Sequence, residues 1–248
     1  MKMKLIILTK TLLVFSMFAQ APIPEELLTL PVFISLSNGT SATGFYYNDS
    51  TYFYLVTAKH VFFDPQTNQL NSEIADLISY PRDPYKNPYN LLKCNLRLLL
   101  DSNLVQNHNR FDIAVALIGR MELIDSITPM VNYNIAITRP NPIASKVVQF
   151  GKQDILVSKE LPVGTEVHIF GYPTSVGTNN FPQLETGQPL LRRGIVAGKN
   201  YKLNTIILDC PVYKGNSGGP VVASLIEGLN TKFRLIGVVS QFVPFEEK

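Results

Sequence analysis

From Val32 onward, apolar and polar positions alternate in short runs cut by turn residues. Val32 to Leu36 alternates weakly and ends at Asn38-Gly39, a strong hairpin signal. Thr43 to Tyr47 follows, rich in β-branched and aromatic residues, and stops at Asn48-Asp49-Ser50. Tyr52 to Thr57 is the next such run. The period of two predicts three strands in a meander. His60 sits just past the third, in Thr57-Ala58-Lys59-His60-Val61. Residues 63–90 are polar and hold Pro65, Pro81, Pro84 and Pro88. They predict a long surface loop with one short helical turn over Ile74 to Ile78. Strand patterns resume at Leu91 to Leu100 and at Asp112 to Ile118.

A turn-rich bridge near Arg139-Pro140-Asn141-Pro142 precedes a second set of runs. These are Val147–Phe150, Glu166–Phe170, Leu190–Val196, Thr205–Leu208, Pro220–Ala223 and Phe233–Val239. Nothing repeats at the period of a solenoid or propeller. Two sets of short strands in 248 residues predict an all-β protein of two packed β-barrels. The first is expected over about residues 30–135 and the second over about 145–248. With 46% hydrophobic and 17% charged residues, the chain can bury a core.

Charge removes one class of function. The formal net charge of +3 comes from Lys2, Lys4 and Lys10, which stand among the first 21 residues with no acid. Without them, 19 bases face 19 acids. No basic patch of the kind a nucleic-acid binder carries survives, so nucleic acid is not an expected partner. The same 21 residues read as an export signal: a positive start, an apolar run from Leu5 to Phe18 broken by Thr9, Lys10, Thr11 and Ser16, and an Ala19-Gln20-Ala21 cleavage pattern. The expected location is secreted or periplasmic, with an uncleaved anchor as the alternative. Cys94 and Cys210 fall in strands of different halves, which favours two free thiols over a disulfide. Their spacing fits no zinc site and no CxxC redox pair, and no metal or cofactor is expected.

The stretch Lys214-Gly215-Asn216-Ser217-Gly218-Gly219-Pro220 carries the most chemistry. Its glycines allow a sharp turn that leaves a serine hydroxyl exposed, with the amides of Gly215 and Ser217 converging on one point. By itself it is equally an ordinary glycine-rich turn. A serine needs a neighbouring base. Of three histidines, His60 ends an apolar strand, where a barrel rim presents side chains. His108 lies in a polar loop, and His168 alternates within a strand as a solvent-facing or satisfied core residue. The base needs an acid to fix its tautomer. Asp112 opens an otherwise apolar strand, where a carboxylate requires a partner, although on local grounds it equally caps a surface strand. Asp101, Asp154 and Asp209 are weaker candidates.

Together, Thr57-Ala58-Lys59-His60, Asp112-Ile113-Ala114-Val115 and Gly215-Asn216-Ser217-Gly218-Gly219-Pro220 resemble the histidine, aspartate and serine motifs of trypsin-like serine peptidases, in that family's order. The resemblance covers roughly residues 30–243. It implies a double β-barrel peptidase domain over 22–248 and peptide-bond hydrolysis through an acyl-enzyme. It implies the roles of nucleophile for Ser217, general base for His60 and orienter for Asp112, with the oxyanion held by Gly215 and Ser217. Polypeptide is the implied substrate. Gly164–Pro173, Gly194–Gly198 and Ile236–Ser240 resemble later strands of bacterial members, the last being the strand on which substrate backbone pairs. Asn216 stands where activated members carry an aspartate, so the chain resembles bacterial quality-control members, which need no activation cut. The resemblance puts Pro211 at the base of the specificity pocket, Phe242 at a wall position and Ser240 among the substrate-binding residues, implying a shallow apolar pocket for small or medium aliphatic residues. After Phe242 only Val243–Lys248 follow, so the second barrel is expected to lack its closing strand, and no peptide-binding module follows. A non-catalytic binding or scaffold module of the same fold is the alternative. An α/β-hydrolase esterase is disfavoured, because that family runs Ser, acid, His with its serine in G-x-S-x-G.

Overall fold

A computed structural model describes residues 23–124, 128–141, 147–172, 187–228 and 230–241. Residues 1–21, read above as an export signal, lie outside these, as do Phe242 and the residues after it. The alternating run that begins the fold forms strand β1 (Pro31–Leu36), with Val32, Ile34 and Leu36 buried. Strands β2 (Ser41–Asn48) and β3 (Tyr52–Thr57) follow, and β1–β2–β3 pair antiparallel as the meander pattern predicts. The first turn is held by the Asn38 carboxamide oxygen, which accepts from Thr40 N at 2.9 Å. The second is held by Asp49, whose Oδ1 accepts from Thr51 N and Tyr52 N at 2.9 and 2.7 Å. Both are side-chain turns in which the carboxyl or carboxamide replaces a backbone acceptor.

Two local expectations are corrected. Residues 74–78 are not helical: β4 (Ile74–Ser79) is a strand flanked on both sides, by β1 and by β5 (Asn90–Asn95). Ala75, Leu77 and Ser79 are buried at a period of two, and the ladder partners lie far along the chain. The expected strand 91–100 ends early, at Asn95, whose side chain caps a helix over Leu96–Asp101 by accepting from Leu98 N at 2.8 Å. Leu96 and Leu99, three apart, turn inward. Then come β6 (Val105–Asn107), β7 (Ala114–Ile124), β8 (Thr128–Tyr133) and β9 (Ile137–Thr138).

The first sheet runs β6-β7-β3-β2-β1-β4-β5-β9, with β8 also on β7. β8 pairs β7 near one end of the sheet, and β9 pairs β5 near the other. Three residues separate β8 from β9. Such a link spans only about 13 Å, so the sheet must curl round. Its interior is filled by Val32, Ile34, Phe53, Leu55, Phe62 and Leu77, among others. The second lobe holds β10 (Glu166–Gly171), β11 (Leu190–Asn200), β12 (Thr205–Asp209), β13 (Pro220–Glu227) and β14 (Asn230–Val238), ordered β12-β11-β10-β13-β14. The expected strand 147–150 is an extended segment with one isolated bridge, Phe150 to Tyr47. The architecture is the trypsin-like double barrel without full closure of the second sheet: β12 and β14 are its edges among the described residues. A third core, with Leu30, Phe45, Phe150, Phe170, Val222 and Leu235, welds the lobes together. Cys94 and Cys210 are both free. Among the described residues no helix is long and apolar enough to cross a membrane.

His168 is a core histidine rather than a solvent-facing one. It is wholly buried, with Nε2 2.7 Å from Ser224 Oγ and 3.2 Å from Glu166 Oε1. Its Nδ1 has no hydrogen-bond partner among the described residues. Burial pushes its titration below the ordinary 6.5, outweighing the attraction of Glu166. The unfolded chain therefore takes up this proton at higher pH than the folded one. His168 contributes full stability above about 6.5, and that contribution is lost as pH falls through this value. Thermal melts should show wild type losing stability between pH 7 and 5, with a shallower slope in His168→Gln; equal slopes would refute the assignment.

Candidate active site

The register of β3 on β7 brings the first pair of functional side chains together. Thr57 lies opposite Ala114, so continuing the antiparallel register by two residues sets Asp112 beside Lys59 and His60. His60 rides on a one-turn helix, Lys59–Phe62. Its backbone N–H donates to Asp112 Oδ1 at 2.9 Å, and its ring Nδ1 lies 2.7 Å from Asp112 Oδ2. Asn71, absent from the sequence-level candidates, secures the helix from behind. Its side-chain amide donates to His60 O and Val61 O, and its backbone N–H donates to Phe62 O. Those are carbonyls a one-turn helix cannot satisfy internally.

Burial alone would push the Asp112 carboxyl up. The hydrogen bonds from the His60 ring and backbone and the imidazole charge outweigh it, and the group titrates below the usual carboxylate range. Asp112 is thus a carboxylate aimed at Nδ1, which places the ring proton there and leaves Nε2 with a free lone pair. The side chains remain 37% and 32% exposed, open to an incoming molecule.

The glycine-rich stretch is a turn followed by an elbow. Asn216 N donates to Tyr213 O at 3.0 Å. Gly215, third in that turn, has φ +101°, and Lys214 before it is not in the left-handed region. Those signs define a type II turn, which places glycine at the third position. The backbone N–H groups of Asn216, Gly218 and Gly219 donate to Tyr213 O, Val239 O and Asn216 O. Those of Gly215 and Ser217 donate to no described residue. The Ser217 hydroxyl likewise makes no hydrogen bond among the described residues. Asn216 is wholly buried, its Oδ1 accepting from Tyr213 N at 3.2 Å.

The elbow is pressed onto the first lobe. A Cβ on Gly218, at φ +83°, would lie 2.0 Å from Thr57 Oγ1, 2.1 Å from Thr43 O and 2.9 Å from Ala58 N. Ser217 is therefore backed by the segment that leads directly into His60. Thr43 N donates to Ser217 O at 3.0 Å, and Thr43 Oγ1 donates to Gly215 O at 2.7 Å.

A pocket of about 390 Å³ opens beside Ser217, lined also by Val212, Tyr213, Lys214, Val239 and Gln241. Pro211, expected at its base, is exposed and is not among these lining residues, whereas its neighbour Val212 is. Ser240 is half-buried between two lining residues, and Phe242 lies outside the described residues. His108 is a loop residue whose Nδ1 accepts from Arg110 N and Phe111 N, far from this chemistry in role.

Because backbone atoms occupy the space a side chain at 218 needs, Gly218→Ala should cost at least about 3 kcal/mol of folding free energy. Equilibrium denaturation measures this; a loss under 1 kcal/mol would mean that the elbow is not seated as described.

No curated protein sequence matches the chain. By structure it is similar to a serine endoprotease from Yersinia pestis, at 14% identity and TM-score 0.45, over 88% of this chain and 64% of that one. The chain thus spans under two thirds of that protein's length. It is similar to Deg5 at 16% identity and TM-score 0.46, over 86% and 90% of the two chains. It is also similar to AL20, a thermostable serine protease from an extremophilic microorganism, at 16% identity and TM-score 0.48, over 90% and 88%. The family model of the trypsin-like peptidase domain matches residues 42–227, a span that takes in His60, Asp112 and Ser217. The chain belongs to the trypsin-like peptidase domain family.

Proposed function

We propose that this protein is a serine endopeptidase that hydrolyses peptide bonds through an acyl-enzyme on Ser217. The observation that carries the reading is the doubly hydrogen-bonded His60–Asp112 pair on the same first-lobe edge that backs the Ser217 elbow. His60 Nε2 removes the Ser217 hydroxyl proton as Oγ attacks the scissile carbonyl. Asp112 stabilises the imidazolium and stays ionised. The oxyanion forms between the N–H groups of Gly215 and Ser217, which donate to no described residue. His60 then protonates the leaving amine. Water, deprotonated by the same nitrogen, cleaves the ester and returns the serine. In unliganded acyl-transfer sites the serine–histidine hydrogen bond is often long and tightens around substrate, which fits the unbonded Ser217 hydroxyl. Asn216 cannot form the ion pair that an activation cut supplies, and its burial within the turn supports an enzyme competent without one. The export signature of residues 1–21 supports action outside the cytoplasm.

A fluorophosphonate probe tests the reading. Wild type should label, Ser217→Ala and His60→Ala should not, and Asp112→Asn should label roughly 10⁴-fold more slowly by analogy with the family's triad. Absence of labelling in folded wild type would favour the non-catalytic module. The pocket has apolar walls at Val212 and Val239 and no acid among its lining residues, and Lys214 adds positive charge. In a peptide library, cleavage should follow small or medium aliphatic residues, disfavouring Arg and Lys by about ten-fold or more. Preferred cleavage after a basic residue would overturn this pocket reading.

A further inference from the structure

Thr43 belongs to the first lobe, yet its polar groups are spent on the second. It is wholly buried. Its hydroxyl donates to Gly215 O at 2.7 Å and accepts Tyr172 N–H at 3.0 Å, 129 residues along the chain. Its backbone N–H donates to Ser217 O at 3.0 Å, and its carbonyl accepts the Thr57 hydroxyl at 2.8 Å. No polar atom of Thr43 is idle, and its partners are the two ends of the serine turn, the end of β10 and the end of β3.

We infer that Thr43 is a positioning residue: its hydroxyl sets the Gly215–Ser217 turn, and with it Ser217, at a fixed distance from His60. This inference rests on the peptidase reading above. The two halves of the site sit on different lobes. His60 and Asp112 are placed by the β3–β7 register, whereas the Ser217 turn is placed by β13 and the second core. Apolar contact between lobes does not fix a turn to within the fraction of an ångström that acyl transfer requires, because it is non-directional. Hydrogen bonds are directional. The peptide group joining Gly215 to Asn216 is held at both ends, its C=O by Thr43 Oγ1 and its N–H by Tyr213 O. The one joining Ser217 to Gly218 is held likewise, by Thr43 N and Val239 O. Without the hydroxyl, a buried carbonyl and a buried amide lose their partner, and the turn shifts to satisfy them. The Thr57→Thr43 bond continues the tie into the strand that ends at His60.

The test compares fluorophosphonate labelling rates of wild type, Thr43→Val, Thr43→Ala and Thr43→Ser, with a melting curve for each. The pH dependence of labelling is recorded for wild type and Thr43→Val. Val keeps the shape without the hydroxyl; Ser and Ala differ only by it. Thr43→Val and Thr43→Ala should label between about ten- and a hundred-fold more slowly than wild type. Thr43→Ser should stay within about three-fold, and the pH midpoint should not move, since His60 and Asp112 are untouched. Labelling of Val and Ala at the wild-type rate would overturn the inference. So would a Ser variant as slow as Ala, which would assign the effect to methyl packing, or unfolding of both hydroxyl-less variants, which would make Thr43 a fold determinant instead. If wild type itself does not label, the peptidase reading fails and this inference falls with it, an outcome distinct from wild type labelling at the same rate as the hydroxyl-less variants.

Discussion

The seam where β2 meets the serine turn governs everything else in this molecule. Along it, backbone from the second lobe is hydrogen-bonded to Thr43, and Gly218 lies so close to Thr43 and Thr57 that no side chain fits. Two groups of side chains carried by separate β-sheets cannot be aligned by either sheet alone. They are aligned only where the sheets touch through directional bonds. The glycines of 215–219 are therefore a consequence of the seam as much as of the turn: one supplies the left-handed conformation of a type II turn, another the absence of a Cβ at the point of closest approach.

Around this seam the apolar groups are divided in a consistent way. Each lobe fills its own interior, the first with large aliphatic and aromatic side chains from β1 to β5, the second with a smaller set dominated by valine and isoleucine. The shared core behind the seam holds an aromatic pair, Phe45 against Phe150 edge-to-face at 5.4 Å, and outside that cluster Phe33 meets Tyr172 at 5.2 Å. Fully burying one such ring is worth about 1.5–3 kcal/mol, so this core holds the lobes together while the hydrogen bonds set their register. Tyr172 serves both ends, its ring packed on Phe33 and its amide on the Thr43 hydroxyl.

Electrostatics adds a second division. Asp112 keeps its charge because two N–H groups of His60 point at it, while His168, buried with a ring nitrogen that has no partner among the described residues, is held neutral. Two histidines of one chain thus have opposite roles. The difference lies in position: His60 is at a strand end, half open, facing a carboxylate across a register; His168 is inside a strand with ladders on both sides.

The sequence by itself determined the meander and most second-lobe strands, and it singled out His60, Asp112 and Ser217 as candidates. Each is written in a local pattern: alternation at a period of two, a turn dipeptide, or a motif a few residues long. It misplaced β4 and the Leu96–Asp101 helix. Ile74–Ser79 becomes a strand only because β1 and β5 flank it, and the Asn95 cap acts only once the strand before it has ended. It was silent on Thr43 and Asn71, because a threonine in a strand and an asparagine in a loop look ordinary until their partners arrive. Those partners are a carbonyl 172 residues away for Thr43 and the exposed end of a one-turn helix for Asn71. Tertiary structure alone decided these, since a hydrogen bond is chosen by distance and angle in space, and neither is encoded in the neighbouring residues.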